Sequence, residues 1–209
     1  MTSISKDQIW DVNVRPQGRP RTPLGCAKPE RGFGFTSSKD KRDALSWEAL
    51  DALSTDSRTR LIFSPQRAPE LIFPFCVHEA KSAMGGTLGY AENQAAVGAA
   101  TAATLFAELR KLTGAAALLV PPVLMLASMG STWSIHACFT RAVNGIDEYH
   151  IYPLAPLFDL ANSIALFNFQ IVLSRIRDYA LSVIKPWFSE QVAGLVLSEQ
   201  VAGLVHHYC

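Results

Sequence analysis

Residues 71–81, Leu71-Ile-Phe-Pro-Phe-Cys-Val-His-Glu-Ala-Lys81, are an apolar run that closes on a carboxylate and an ammonium one residue apart. Side chains alternate across a strand. Leu71, Phe73, Phe75, Val77, Glu79 and Lys81 therefore share one face, and Ile72, Pro74, Cys76, His78 and Ala80 the other. Both faces are largely apolar, which predicts a strand covered on both sides. Desolvating a charge is costly unless it finds a partner. The Glu79–Lys81 pair thus points to a site at the strand's end, where a metal ion partners Glu79 and a substrate anion partners Lys81. The competing reading has the strand surfacing there, with both residues as solvated rim charges. Pro74 cannot donate to a ladder, so a bulge or a solvent-facing edge is expected around it.

The rest of the chain can supply a core for such a strand. It has 209 residues, 49% of them hydrophobic, and a formal net charge of +1. That is the composition of one globular domain, or of one domain with loose ends. The charge is unevenly spread. Residues 1–42 hold nine basic and four acidic side chains, a local +5 that leaves about −4 for the rest. A basic arm attracts nucleic acid; a solvated tail is the alternative. Cys26, Cys76, Cys138 and Cys209 form no CxxC pair, which excludes a zinc ribbon or a thioredoxin motif. Cys76, inside the apolar run, reads as a small core residue. No signal peptide is evident, so a reducing intracellular compartment, nuclear or cytoplasmic, is expected. No membrane span is expected either: the apolar stretch 114–129 contains Pro121-Pro122 and is short for one.

Along the chain, residues 1–40 carry Pro16, Pro20, Pro23 and Pro29 among Gly, Ser and Arg without a period, and read as a disordered basic arm. Gly32-Phe-Gly-Phe35 lacks a preceding strand and a third glycine, so it is no dinucleotide loop. Residues 41–188 read as the folded domain. A short helix is expected at 43–53 and a strand at 58–64. Turn chemistry at Pro65-Gln-Arg-Ala-Pro69 then makes a hairpin with the 71–81 strand. With 66–69 as its loop, Asp56 faces Glu79 on the same side of the sheet, and the two could share a cation. A one-residue slip would undo this and leave Asp56 a surface residue.

An alanine-rich helix is expected at 90–112, with Gln94 in its first turn, where the side chain offers both a donor and an acceptor. Its alternative is an ordinary exposed helix-start residue. Strands are expected at 131–139 and 148–154, around the Asn144-Gly145 turn signal. Asp159 is the expected N-cap of a helix over 160–184 that Pro186 stops. His136 and His150 show no metal-ligand spacing and read as packing or surface residues. The octapeptide Ser-Glu-Gln-Val-Ala-Gly-Leu-Val occurs twice, at 189–196 and 198–205. Two copies make no solenoid, so 189–209 reads as a duplicated tail.

The order helix, hairpin, long helix, strand, strand, helix, with Glu79-Ala-Lys81 closing the second hairpin strand, resembles the PD-(D/E)XK nuclease superfamily. Its fold is the restriction-endonuclease-like fold. The text Phe73-Pro-Phe-Cys-Val-His-Glu-Ala-Lys-Ser82, followed by Ala91-Glu-Asn-Gln-Ala95, is similar to a group of fungal nuclease-like proteins. The resemblance spans about residues 43–184, and its specific text lies within 71–96. It implies an α/β (α+β mixed) core, a mixed central sheet flanked by helices. It also implies Mg2+ (or Mn2+) held by Glu79 and a second acid, for which Asp56 is the geometric candidate. Lys81 would position the attacking water and stabilise charge on the phosphate. Gln94 matches a glutamine that some branches place at the site, and Glu48 an acid that some carry on the first helix. The chain departs from the pattern in having no Pro-Asp on the first hairpin strand. Pro69-Glu70 resembles it in spelling, but an extended strand of about 30 Å separates Glu70 from Glu79.

Two functions follow as expectations. One is a metal-dependent phosphodiesterase acting on DNA through Asp56, Glu79 and Lys81. The other is a nuclease-fold protein that has lost catalysis and binds nucleic acid or a protein partner, since fold does not fix function. A small-molecule enzyme has no supporting Gly-x-Ser-x-Gly, P-loop or His-Glu-x-x-His text.

Overall fold

A computed structural model describes residues 3–6, 29–36, 45, 50–51, 71–113, 119–144 and 146–193. The elements are β1 (Ser3–Lys6), β2 (Arg31–Phe35), β3 (Ile72–Lys81), α1 (Leu88–Thr113), β4 (Val123–Met129), β5 (Thr132–Val143), β6 (Ile146–Pro153), β7 (Phe158–Asp159) and α2 (Ser163–Tyr179). A π-helical turn, Ala180–Ile184, carries α2 into a further helical stretch at 185–193.

The strands form one mixed sheet in the order β1-β2-β3-β4-β5-β6, with β7 also pairing to β5. β3 and β4 are parallel and the other pairs antiparallel. A parallel pair needs a crossover, and α1 provides it. Val77 and His78 show the layering, because neighbouring strand residues point to opposite faces. A Cβ at Gly98 of α1 would meet Val77 at 3.7 Å. His78 stacks on Trp133, which packs against Phe169 of α2. One helix therefore covers each face, and the fold is mixed α/β.

Ala91, Ala95, Ala99, Ala102 and Ala103 are fully or almost fully buried. Their small side chains let α1 lie close to the sheet, so the alanine-rich stretch forms the long helix its composition predicts. The 71–81 run is likewise the strand expected of it, and Pro74 sits where the β2–β3 register shifts. Phe33 pairs with Cys76 but Phe35 with Ile72, which leaves Phe73–Phe75 as a bulge. Phe73 there has φ 44°, a left-handed conformation rare for a bulky residue. Its burial between Phe106 (5.6 Å) and Phe188 (4.9 Å) holds it in place. Gly34 lies opposite this irregularity. A Cβ at Gly34 would come within 2.9 Å of the Ile72 carbonyl oxygen, so only glycine lets β2 follow β3 through the bulge.

The structure corrects several expectations. The antiparallel partner of β3 is β2, drawn from the stretch read as a disordered arm, and Ser3–Lys6 of that stretch is also a strand. β4 occupies the other edge of β3. β2 thus pairs along residues 72–78 and β4 along residues 76–81. Residues 58–64 themselves, with Asp56 and Glu48, lie outside the described residues, as does most of 43–53, where Leu50 and Asp51 are helical. β4 comes from the apolar stretch 114–129 and was not expected at all.

The last helix is capped by Asn162, whose Oδ1 accepts from the backbone N–H groups of Ile164 (2.9 Å) and Ala165 (3.2 Å), and not by Asp159. Nor does Pro186 stop it. A proline ring clashes with the carbonyl four residues back in a regular α-helix. The wider π turn just before Pro186, with the Lys185 N–H donating to Ala180 O, relieves that clash. The helix then continues into the first copy of the duplicated octapeptide, where Gln191 and Val192 are buried and Gln191 Oε1 accepts from the Thr113 hydroxyl at 2.5 Å. Residues 194–209 lie outside the described residues.

Candidate functional site

The end of β3 gathers the predicted pair. Lys81 Nζ donates to Glu79 Oε1 at 3.0 Å. The Glu79 side chain is 5% exposed and that of Lys81 21%. The two share a face because the strand alternates, and that face is the one α1 covers. The pair is not splayed into solvent, so the rim-charge reading fails for Glu79. Its other oxygen, Oε2, accepts the backbone N–H of Glu30 at 3.1 Å.

α1 begins beside this pair. Lys81 Nζ lies 5.2 Å from the centre of the Tyr90 ring, a cation–π contact. Tyr90 OH accepts from Gln94 Nε2 at 3.5 Å. Gln94 is exposed and reaches the pair only through Tyr90, so it stands at the rim. The Thr87 hydroxyl accepts the Tyr90 N–H at 3.2 Å and fixes this first turn. The first turn holds no acidic residue that would compete for Lys81.

Glu30 is the neighbour of this pair that sequence reasoning missed. Arg31 pairs with His78 across the β2–β3 ladder. One residue before that pair, Glu30 turns its backbone N–H onto the Glu79 carboxylate. Glu30 thus meets Glu79 from the β2 side of β3, while Asp56 lies outside the described residues. Pro29 precedes it, so a proline–acid pair does stand beside the Glu-Ala-Lys motif. Pro29-Glu30 is visible in the sequence, but the glycine-containing stretch after it shows no strand period.

The opposite face carries a second polar group. His78 Nε2 and Ser128 Oγ are 3.1 Å apart and buried. The imidazole stacks on Trp133, with ring centres 4.7 Å apart and planes 4° from parallel. Burial, and secondarily the Arg31 guanidinium opposite, lower the His78 pKa to about 4. A neutral histidine hydrogen-bonded beneath an indole is a satisfied core residue. His136 lies 3.8 Å from Glu92 Oε1, and His150 3.4 Å from Glu148 Oε2. Burial pushes the Cys76 and Cys138 thiols up to about 12, which makes both inert.

Among the described residues no three His, Cys, Asp or Glu side chains form a group able to hold a metal on their own. Nor is any described helix long and apolar enough to cross a membrane. Compared with known proteins, the chain matches no family model, no curated protein and no solved structure.

Proposed function

We propose that this chain is a metal-dependent nuclease-like protein that hydrolyses DNA phosphodiester bonds on a restriction-endonuclease-like core. One observation carries the proposal: a buried carboxylate, Glu79, lies at the end of β3 with a lysine 3.0 Å away and the Pro29-Glu30 backbone directly beside it. A buried carboxylate paired with a half-buried ammonium at one strand end is costly to keep as structure alone.

The donors suit Mg2+ or Mn2+. Mg2+ binds through one or two carboxylates and completes its shell with waters and phosphate oxygens. Glu79 and Glu30 would hold it. When bound, the ion lowers the pKa of a coordinated water and neutralises phosphate charge. The protein's own residues do the positioning. Lys81 places a cation where a phosphate oxygen or the attacking water would sit. The Tyr90 ring holds the Lys81 ammonium, and Gln94, through Tyr90, offers a hydrogen-bonding rim. The basic N-terminal stretch favours a nucleic-acid partner.

A second reading is a nuclease-fold protein without catalysis that binds nucleic acid or a protein. It is favoured by the partners Glu79 already has, since Lys81 and the Glu30 N–H each donate to one of its oxygens. A plasmid-nicking assay with added Mg2+ or Mn2+ separates the two. Nicking that chelator abolishes, and that Glu79→Ala and Lys81→Ala both remove, supports hydrolysis. DNA binding without nicking supports the second reading. Equal nicking by wild type and Lys81→Ala marks a contaminant and sinks the first.

A further inference from the structure

We infer that the Pro29-Glu30 step is a latch, seated on Gly98 of α1, that couples metal occupancy at Glu79 to the attachment of β1 and β2. The inference rests on the metal-binding part of the proposed function. Glu79 belongs to β3, whereas Glu30 reaches it from a stretch 49 positions earlier in the chain. Glu30 stands one residue before β2. β1 pairs with β2 and, among the described residues, with no other strand. A cation held by both acids therefore pins this strand pair to the rest of the sheet.

A glycine makes the seat. Gly98 is buried in the interior of α1, where glycine costs about 1 kcal/mol relative to alanine. A Cβ there would lie 3.8 Å from the Pro29 Cβ and 3.7 Å from Val77 Cγ1. Pro29 is buried as well, so the proline ring and Val77 both pack close to the helix backbone. These distances are ordinary contacts. Alanine therefore fits at position 98, and a longer side chain would push into Pro29 or Val77.

Proline has a fixed φ and no backbone N–H. Held against Gly98, Pro29 presents the next amide, that of Glu30, to Glu79 Oε2 at 3.1 Å. The carboxylate is thereby held in one orientation with Glu30 beside it before any ion arrives, and binding has less to order. Pro29 and Gly98 act through Glu30 and are positioning residues. The coupling is reciprocal. The factor by which an ion slows the opening of β2 equals the factor by which an open latch weakens the ion.

Hydrogen exchange on the full chain, followed by mass spectrometry with and without Mn2+, reads β2, and calorimetric titration reads the ion. Mn2+ is expected to slow exchange over Arg31–Phe35 by about tenfold in wild type and in Gly98→Ala. Pro29→Gly and Gly98→Leu are expected to weaken Mn2+ binding by about the same factor. Pro29→Gly carries the test because it alters no residue of α1 or β3, and exchange over Val123–Met129 should stay at the wild-type rate. Unchanged Mn2+ affinity in Pro29→Gly overturns the latch and leaves the metal site standing. So does Mn2+ binding that leaves β2 exchange unaltered. A wild-type chain that binds no Mn2+ overturns both.

Discussion

The backbone N–H of Glu30 donates to the buried carboxylate of Glu79 across 3.1 Å, joining two residues that lie 49 positions apart in the chain. This contact makes Glu30 the proposed second acid. Glu30→Gln keeps the backbone donor and removes only the side-chain charge. In calorimetric titration with Mn2+, Glu30→Gln is expected to weaken binding by at least about tenfold, or 1.4 kcal/mol. Glu79→Gln is expected to abolish it. Wild-type affinity in Glu30→Gln would remove Glu30 from the site.

Lys81 also carries a stability consequence. Lys81→Met leaves Glu79 Oε1 buried without its donor, which costs about 1–3 kcal/mol. Adding Glu79→Gln removes the orphaned charge, so the double variant should recover part of that loss. Urea unfolding of wild type, both single variants and the double variant measures the coupling. Strict additivity would mean that the pair contributes nothing.

His78 gives the fold an acid-sensitive element. Its folded pKa is lowered to about 4, whereas an unfolded histidine titrates near 6.5. The unfolded chain therefore binds a proton first as the pH falls. Stability is unaffected above about pH 6.5, declines below it, and levels off near pH 4, a loss of about 3 kcal/mol. His78→Gln can still bond Ser128 but does not titrate. The difference in unfolding free energy between wild type and His78→Gln should therefore change with pH across this window. A constant difference would contradict the shifted titration.

Gly130 opens the turn between β4 and β5 with φ 59°. A Cβ there would meet only Ala83, at an ordinary 3.6 Å. The cost of Gly130→Ala is therefore conformational, about 1–2 kcal/mol. Gly130→Asn, which tolerates the left-handed region better, should cost less. Thermal unfolding of both variants checks the order.

Much of this architecture can be read in the chain, and the failures have physical causes. β5 and β6 alternate, and Asn144, with φ 52°, makes the turn its Asn-Gly text predicts. α1 is legible in its alanines. β4 is not, because Val123–Met129 is covered on both faces and a continuous apolar run shows no period. β2 is hidden for the opposite reason: two of its five residues are glycines, poor strand formers whose value at Gly34 exists only beside the bulge in β3. Of the site, Glu79 and Lys81 stand out locally, and Gln94 follows from the helix start. Glu30 depends on a pairing between distant segments that no local pattern records.

Because β4 is the middle of the sheet, the chain on either side of it is incomplete. The early strands offer β3 an open flank, and the late strands offer β5 another. Only a segment that has first travelled out along α1 and returned can bridge them. Forming that bridge closes a long loop before any sheet contact repays it. The strand end bearing Glu79 is thus supported late, and a chain interrupted before β4 keeps its acid–lysine pair on an unsupported ribbon.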